Sequence, residues 1–126
     1  MEQKAPKILL IEDDTFMIEL LVMELKKAGF DVTVARTGHE GVEEYKKAVP
    51  DLILLDLLLP DQNGFEALRE IRRMPEGPQT KVVVLSNLSE SQHIEEAKRL
   101  GTLDYLVKTN HTLPEIAAKV KQALGM

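Results

Sequence analysis

The stretches DLILLD (51–56) and KVVVLS (81–86) are apolar at almost every position, odd and even alike. A strand with one wet face alternates apolar and polar residues, so a strand apolar throughout is covered on both faces. That is the situation of a parallel sheet with helices above and below it. Three more β-type runs, KILLI (7–11), DVTVA (31–35) and LDYLV (103–107), share the chain with them. The segments between have helical period; the first places Met17, Leu20, Leu21, Leu25 and Ala28 on one side. Helix starts are marked by capping-box pairs: Thr37 with Glu40, Asn63 with Glu66, Ser89 with Gln92, Thr112 with Glu115. Gly29 and Gly101 stand where C-terminal caps belong. The expected architecture is an open, doubly wound α/β sheet of five parallel strands and five helices in strict alternation.

With 126 residues the chain has the size of one domain, expected over 1–126, and MPEGPQ (74–79) is only a turn-rich connection within it. A formal net charge of -5 and the lack of any basic run argue against nucleic acid as a direct partner. Without cysteine, disulfide and thiolate chemistry are excluded. The first ten residues lack a secretory apolar core, and the longest apolar stretch falls short of the about 20 residues needed to span a bilayer. A cytoplasmic setting away from the membrane is the expectation.

In doubly wound sheets ligands bind outside the carboxyl ends of the strands. Here β-run one ends in Glu12 and Asp13, run three in Asp56, run four in Ser86, and run five leads into Lys108. Only run two ends, in RTG, without a comparable group. Three carboxylates within about 5 Å of one another repel by roughly 3 kcal/mol per pair at an effective dielectric near 20, so they call for a cation. An all-oxygen, partly hydrated site suits Mg²⁺. With Lys108 and the Ser86 hydroxyl aimed at the same space, the natural guest is a phosphoryl group and Asp56 its nucleophilic acceptor.

The chain resembles the response-regulator receiver domains of bacterial two-component signalling through LLIEDD, DLLLPDQNGFEALREIR, VVVLSN and DYLVK, each on the expected strand and in the expected order. The resemblance implies a flavodoxin-like sheet of strand order 2-1-3-4-5. It also implies Asp56 as the phosphorylation site, with Ser86 and Lys108 binding the phosphoryl oxygens. Mg²⁺ would be held by Asp13, Asp56 and the main-chain carbonyl of Leu58, with Glu12 contacting it through water. Tyr105, three residues before the lysine, would be an aromatic switch that turns inward when Ser86 is drawn to the phosphoryl group. A surface of helix four, strand five and helix five would then change for a downstream protein target or effector domain. The donor would be a sensor histidine kinase or phosphotransfer protein. Such a domain is not an enzyme acting on other substrates; it catalyses only its own phosphorylation and dephosphorylation.

Taken singly, each residue has a plainer reading: strand-end acid, turn hydroxyl, surface lysine, half-buried β-tyrosine. Asp14 is assigned such a role, favouring the N-terminus of the first helix. His39, His93 and His111 share no spacing with the acids and read as solvated surface residues. Two features depart from the family pattern. Thr109 stands where proline usually follows the lysine, so the bond before it is expected trans, a cis bond there costing about 2.5–4 kcal/mol. Asn87 replaces a small residue and narrows the opening over Asp56. Leu58 and Leu88, two beyond Asp56 and Ser86, flank the path of hydrolytic water in receivers generally, and their apolar side chains imply a long-lived aspartyl phosphate. A haloacid-dehalogenase-like phosphatase would need an Asp at position 58, and a flavodoxin a hydroxyl-rich loop after strand one; neither is present. Two contexts stay open: a stand-alone receiver, or one cut from a longer regulator or hybrid kinase.

Overall fold

The structure is a computed structural model and describes residues 4–126; residues 1–3 of the expected domain lie outside the described part. Five strands, β1 (Lys7–Ile11), β2 (Asp31–Ala35), β3 (Leu52–Leu55), β4 (Lys81–Ser86) and β5 (Asp104–Val107), alternate with five helices. These are α1 (Thr15–Lys27), α2 (Gly38–Lys47), α3 (Gly64–Arg72), α4 (Ser91–Arg99) and α5 (Leu113–Ala123), with short 3₁₀ turns at Gly77–Gln79 and Lys108–Asn110. All strand pairings are parallel, in the order β2-β1-β3-β4-β5, as expected.

The period of two along each strand sorts the core into two layers. Leu9, Ile11, Ile53, Leu55, Val82 and Val84 face α2, α3 and α4, where Val42, Tyr45, Phe65, Leu68 and Ala97 meet them. Ile8, Leu10, Leu52, Leu54, Val83 and Leu85 face α1 and α5, packing on Leu21, Leu25, Ile116 and Val120. Both layers are closed by helices, which explains why β3 and β4 tolerate no polar position in their interiors. The α1 stripe extends to Ile18, which is buried with Leu21 and Leu25.

Helix ends follow the expected chemistry unevenly. Asp14 caps α1, its side chain accepting from the Met17 N–H at 3.1 Å. Only Thr112 and Glu115 form a reciprocal capping box. Thr37 accepts from Glu40 N–H, but the Glu40 carboxylate reaches one residue further back, to the Arg36 N–H. Asn63 accepts from Phe65 N–H, while Glu66 turns outward to Arg69. Ser89 does not cap α4: the helix begins at Ser91 behind Glu90, with no side-chain cap. The cause lies in the preceding loop, where Leu88 is drawn onto the core and its carbonyl is held by Tyr105, so the chain does not begin to wind one residue earlier. Gly29 and Gly101 adopt φ of +97° and +76° after α1 and α4, the left-handed C-terminal cap.

Gly64, first residue of α3, is a contact glycine. A Cβ there would lie 2.3 Å from the Asp56 carbonyl oxygen and 2.9 Å from Leu57 Cα. Only glycine lets α3 start directly against the chain that carries Asp56. All peptide bonds among the described residues are trans, Lys108–Thr109 included.

Candidate functional site at the carboxyl edge of the sheet

The ladder sets the acids side by side. Ile11 pairs with Ala35 of β2 and Leu55 of β3, so the next residues, Glu12 and Asp56, leave neighbouring strands at the same height. Main-chain bonds continue that row, Glu12 N–H to Ala35 O at 2.9 Å and Asp56 N–H to Ile11 O at 3.0 Å. One oxygen from each of Glu12, Asp13 and Asp56 lies within 4.8 Å of the other two. Glu12 and Asp56 are almost fully buried, at 1% and 5% exposure, whereas Asp13 is exposed.

Lys108, carried by the turn after β5, bridges the two buried acids: its Nζ lies 2.6 Å from Glu12 Oε1 and 2.9 Å from Asp56 Oδ2. The other Glu12 oxygen accepts the N–H groups of Asp13 and Asp14 at 3.1 and 3.2 Å. Asp56 Oδ1 accepts from Leu58 N–H at 3.3 Å. Burial pushes the Glu12 carboxyl above its usual range, because the bonds from Lys108 and Asp14 offset the lost hydration only in part. For Lys108 burial alone would favour the neutral amine, yet the bonds to Glu12 and Asp56 outweigh it and hold the ammonium above its ordinary pKa. The lysine is therefore a permanent cation at neutral pH.

Ser86 ends β4 fully buried, its oxygen accepting from Leu88 N–H at 3.3 Å and its hydroxyl hydrogen left to donate. Leu58 is 54% exposed and pairs with Asn63 in an isolated bridge, whereas Leu88 packs on the core and Asn87 is exposed. Tyr105 already stands inward. Its ring packs against the α3/α4 layer and its hydroxyl donates to the Leu88 carbonyl at 2.5 Å, a position expected only after phosphorylation. Burial first, then the negative charges of Glu90 and Asp56, raise its pKa.

Strand two is not silent at this edge. Arg36, just past β2, reaches the β1–α1 loop, its guanidinium donating to the Asp13 carbonyl at 3.3 Å and to Thr15 Oγ1 at 3.1 Å. The RTG triplet read as lacking a group because an arginine's reach is invisible in a list of strand ends; its place on the same edge was the available signal. The opposite edge offers a depression of about 620 Å³ lined in part by Pro6, Val49, Pro50, Thr80 and Leu124. Lys4, Asp51, Glu76 and Lys81 also line it, but it lies at the amino ends of the strands, opposite the edge where ligands of such sheets bind, so it is not the candidate site. The histidines stay apart from the site acids; His93 on α4 lies 3.3 Å from the carboxylate of Glu90, the residue before that helix.

An open parallel sheet of this strand order, with buried acids and a lysine collected outside its carboxyl ends, defines an α/β protein that handles charge at its switch point. The chain belongs to the response regulator receiver domain family, whose pattern it matches over residues 8–121. It is 34% identical over 103 residues to the chemotaxis protein CheY of Thermotoga maritima, covering 81% of this chain and 84% of that one. It is likewise 34% identical over 119 residues to the phosphate regulon transcriptional regulatory protein PhoB of Rhizobium meliloti, covering 94% of this chain but 52% of that protein. A crystal structure of a putative response regulator from Chloroflexus aurantiacus superposes with a TM-score of 0.88 at 27% identity, covering 98% of this chain and all of that one. The phosphoacceptor role of receivers in two-component signal transduction accounts for an acid and lysine cluster at this edge. Receivers work with histidine kinases and effectors, and no helix among the described residues is long and apolar enough to cross a membrane.

Proposed function

We propose that residues 1–126 form a single receiver domain in which Asp56 accepts a phosphoryl group from a phosphohistidine of a sensor kinase or phosphotransfer protein, in the cytoplasm. The observation that supports this most is the Lys108 ammonium held at hydrogen-bonding distance from Asp56 inside a cluster of three acids. An Asp56 oxygen attacks phosphorus in line with the phosphorus–nitrogen bond of the donor. A phosphorus–oxygen bond forms, and the electron pair of the broken bond leaves on the imidazole nitrogen, which takes up a proton.

The donor set is all oxygen and close enough to share one small cation, which fits Mg²⁺. Asp13, Asp56 and the Leu58 carbonyl would hold it directly and Glu12 through water; bound there, it neutralises charge on the transferred oxygens. Lys108 then stabilises one phosphoryl oxygen and the Ser86 hydroxyl another. The chain acts on itself alone, adding and removing this one group. Movement of Ser86 changes the loop that Tyr105 grips, and with it the surface of α4, β5 and α5 that a target protein or effector domain reads. Leu58 at the mouth and Leu88 behind it orient no water, which favours a persistent aspartyl phosphate.

Incubation with acetyl phosphate and Mg²⁺, followed by intact mass and peptide mapping, tests the reading. One phosphoryl group should appear on Asp56, and Asp56→Asn or chelation of the metal should abolish it. Undiminished labelling of Asp56→Asn would overturn the assignment.

A further inference from the structure

The three acids are fixed by different means. Glu12 is held through its carboxylate by two N–H groups and Lys108, and Asp56 through its carboxylate by Leu58 N–H and Lys108. The hydrogen bonds at Asp13 run instead through its main chain: its N–H donates to Glu12 Oε2, and its carbonyl accepts from Arg36. Asp13 is also the exposed member of the set. Its carboxylate is thus aimed by the peptide on either side of it. Of the side chains touching that peptide, Glu12 belongs to the same loop, and Arg36 comes from a different strand.

We propose that Arg36 is a positioning residue for the Asp13 carboxylate, acting through the Asp13 carbonyl and Thr15 hydroxyl to hold the β1–α1 loop at the height where Asp13 meets Asp56. Its own backbone is anchored for the purpose. The Arg36 N–H donates to Glu40 at 2.9 Å, and the residue before it, Ala35, accepts from Glu12 N–H at 2.9 Å. The end of β2 thereby braces the acid loop twice, through the Ala35 carbonyl and through the Arg36 guanidinium. Groups that orient a metal ligand from behind typically alter metal affinity when removed, and an exposed arginine belongs at the low end of that range.

The inference rests on the acids being a Mg²⁺ site, and its test separates the two. Arg36→Ala keeps the N–H that binds Glu40, so it removes the guanidinium alone. Mg²⁺ is titrated into the unphosphorylated protein and followed by amide shifts of residues 12–14 and 56–58. Positioning predicts binding weaker by about five- to tenfold in Arg36→Ala, with an unchanged melting temperature and partial recovery in Arg36→Lys. Charge alone predicts the reverse, because deleting a cation near a cation site tightens binding. Affinity that is unchanged or tighter in Arg36→Ala overturns the positioning role while leaving the Mg²⁺ site intact. Absence of saturable Mg²⁺ binding in the wild type would remove both.

Discussion

Helices α4 and α5 flank β5 from opposite faces of the sheet, yet they are held in contrasting ways. α5 opens with the Thr112–Glu115 capping box and buries Ile116, Ala117 and Val120 against α1 and the strands. α4 has no side-chain cap and buries only Ala97. What fixes α4 is polar and lies toward its C-terminal end. Arg69 of α3 binds Glu96 at 2.8 Å, and Arg72 donates to the carbonyls of Leu100 and Gly101 at 2.9 and 3.2 Å while holding Gly77 and Thr80 with its other nitrogen. Apolar burial makes α5 a fixed wall, whereas α4 is pinned by polar bonds at its C-terminal end and begins without a side-chain cap. That uncapped end follows the Ser86–Leu88 loop, where a phosphoryl group on Asp56 would first be felt.

The largest difference should appear on cutting the apolar contacts. Ile116→Ala is expected to cost about 3 kcal/mol in urea unfolding, because it leaves a cavity at a site with 1% exposure. Ile94→Ala, at a half-buried position of α4, should cost well under half as much. Equal costs would erase the distinction between the helices.

Removing the polar pin comes next. Arg72→Met takes a donor from four carbonyls, of which Gly77 keeps the Thr80 N–H, and is expected to cost about 2 kcal/mol. Hydrogen exchange should rise at residues 97–102 and stay unchanged along α5. If protection falls evenly in both helices, Arg72 is a general staple and not the anchor of α4.

The smallest effect is in acid. Glu96 is held below its usual pKa of 4.5 by the bonds from Arg69 and Arg99, and Glu115 by its bonds with Thr112. A carboxyl with a depressed folded pKa stabilises above the unfolded value and loses that contribution as pH falls through the folded one. Both helices therefore lose a tie below pH 4.5, but α5 keeps its buried face. Exchange corrected for intrinsic rate should rise in α4 at a higher pH than in α5; the opposite order would contradict the comparison.

The contrast also marks what a sequence discloses. β1, β2 and β4 fall at the residues their apolar runs occupy, and β3 and β5 lose only flanking acids or Leu103, because short β-branched or aliphatic runs bounded by polar residues and followed by helical period leave little room for another assignment. The acids and Lys108 were legible for a related reason: parallel strands deliver their carboxyl ends to one edge whatever the details of packing. Side chains that act at a distance were not. Arg36, Arg69 and Arg72 each reach at least one acceptor 21 to 29 residues away, and nothing in local periodicity reports where a guanidinium will land. The Ser89 cap failed for the same reason, since the partner that claims the loop is Tyr105, 17 residues from Leu88.

Gly64 carries no functional group, yet its α-carbon rests against the carbonyl of Asp56. Any side chain there must push α3 and the end of β3 apart, moving the acid relative to Lys108 and Glu12. A mutational scan scored on phosphorylation should therefore rank Gly64 beside the ionisable residues, and abundance measured in parallel would separate misplacement from misfolding. For anyone grafting this edge onto another sheet, the unit to transplant is the four charged side chains together with the gap behind one of them.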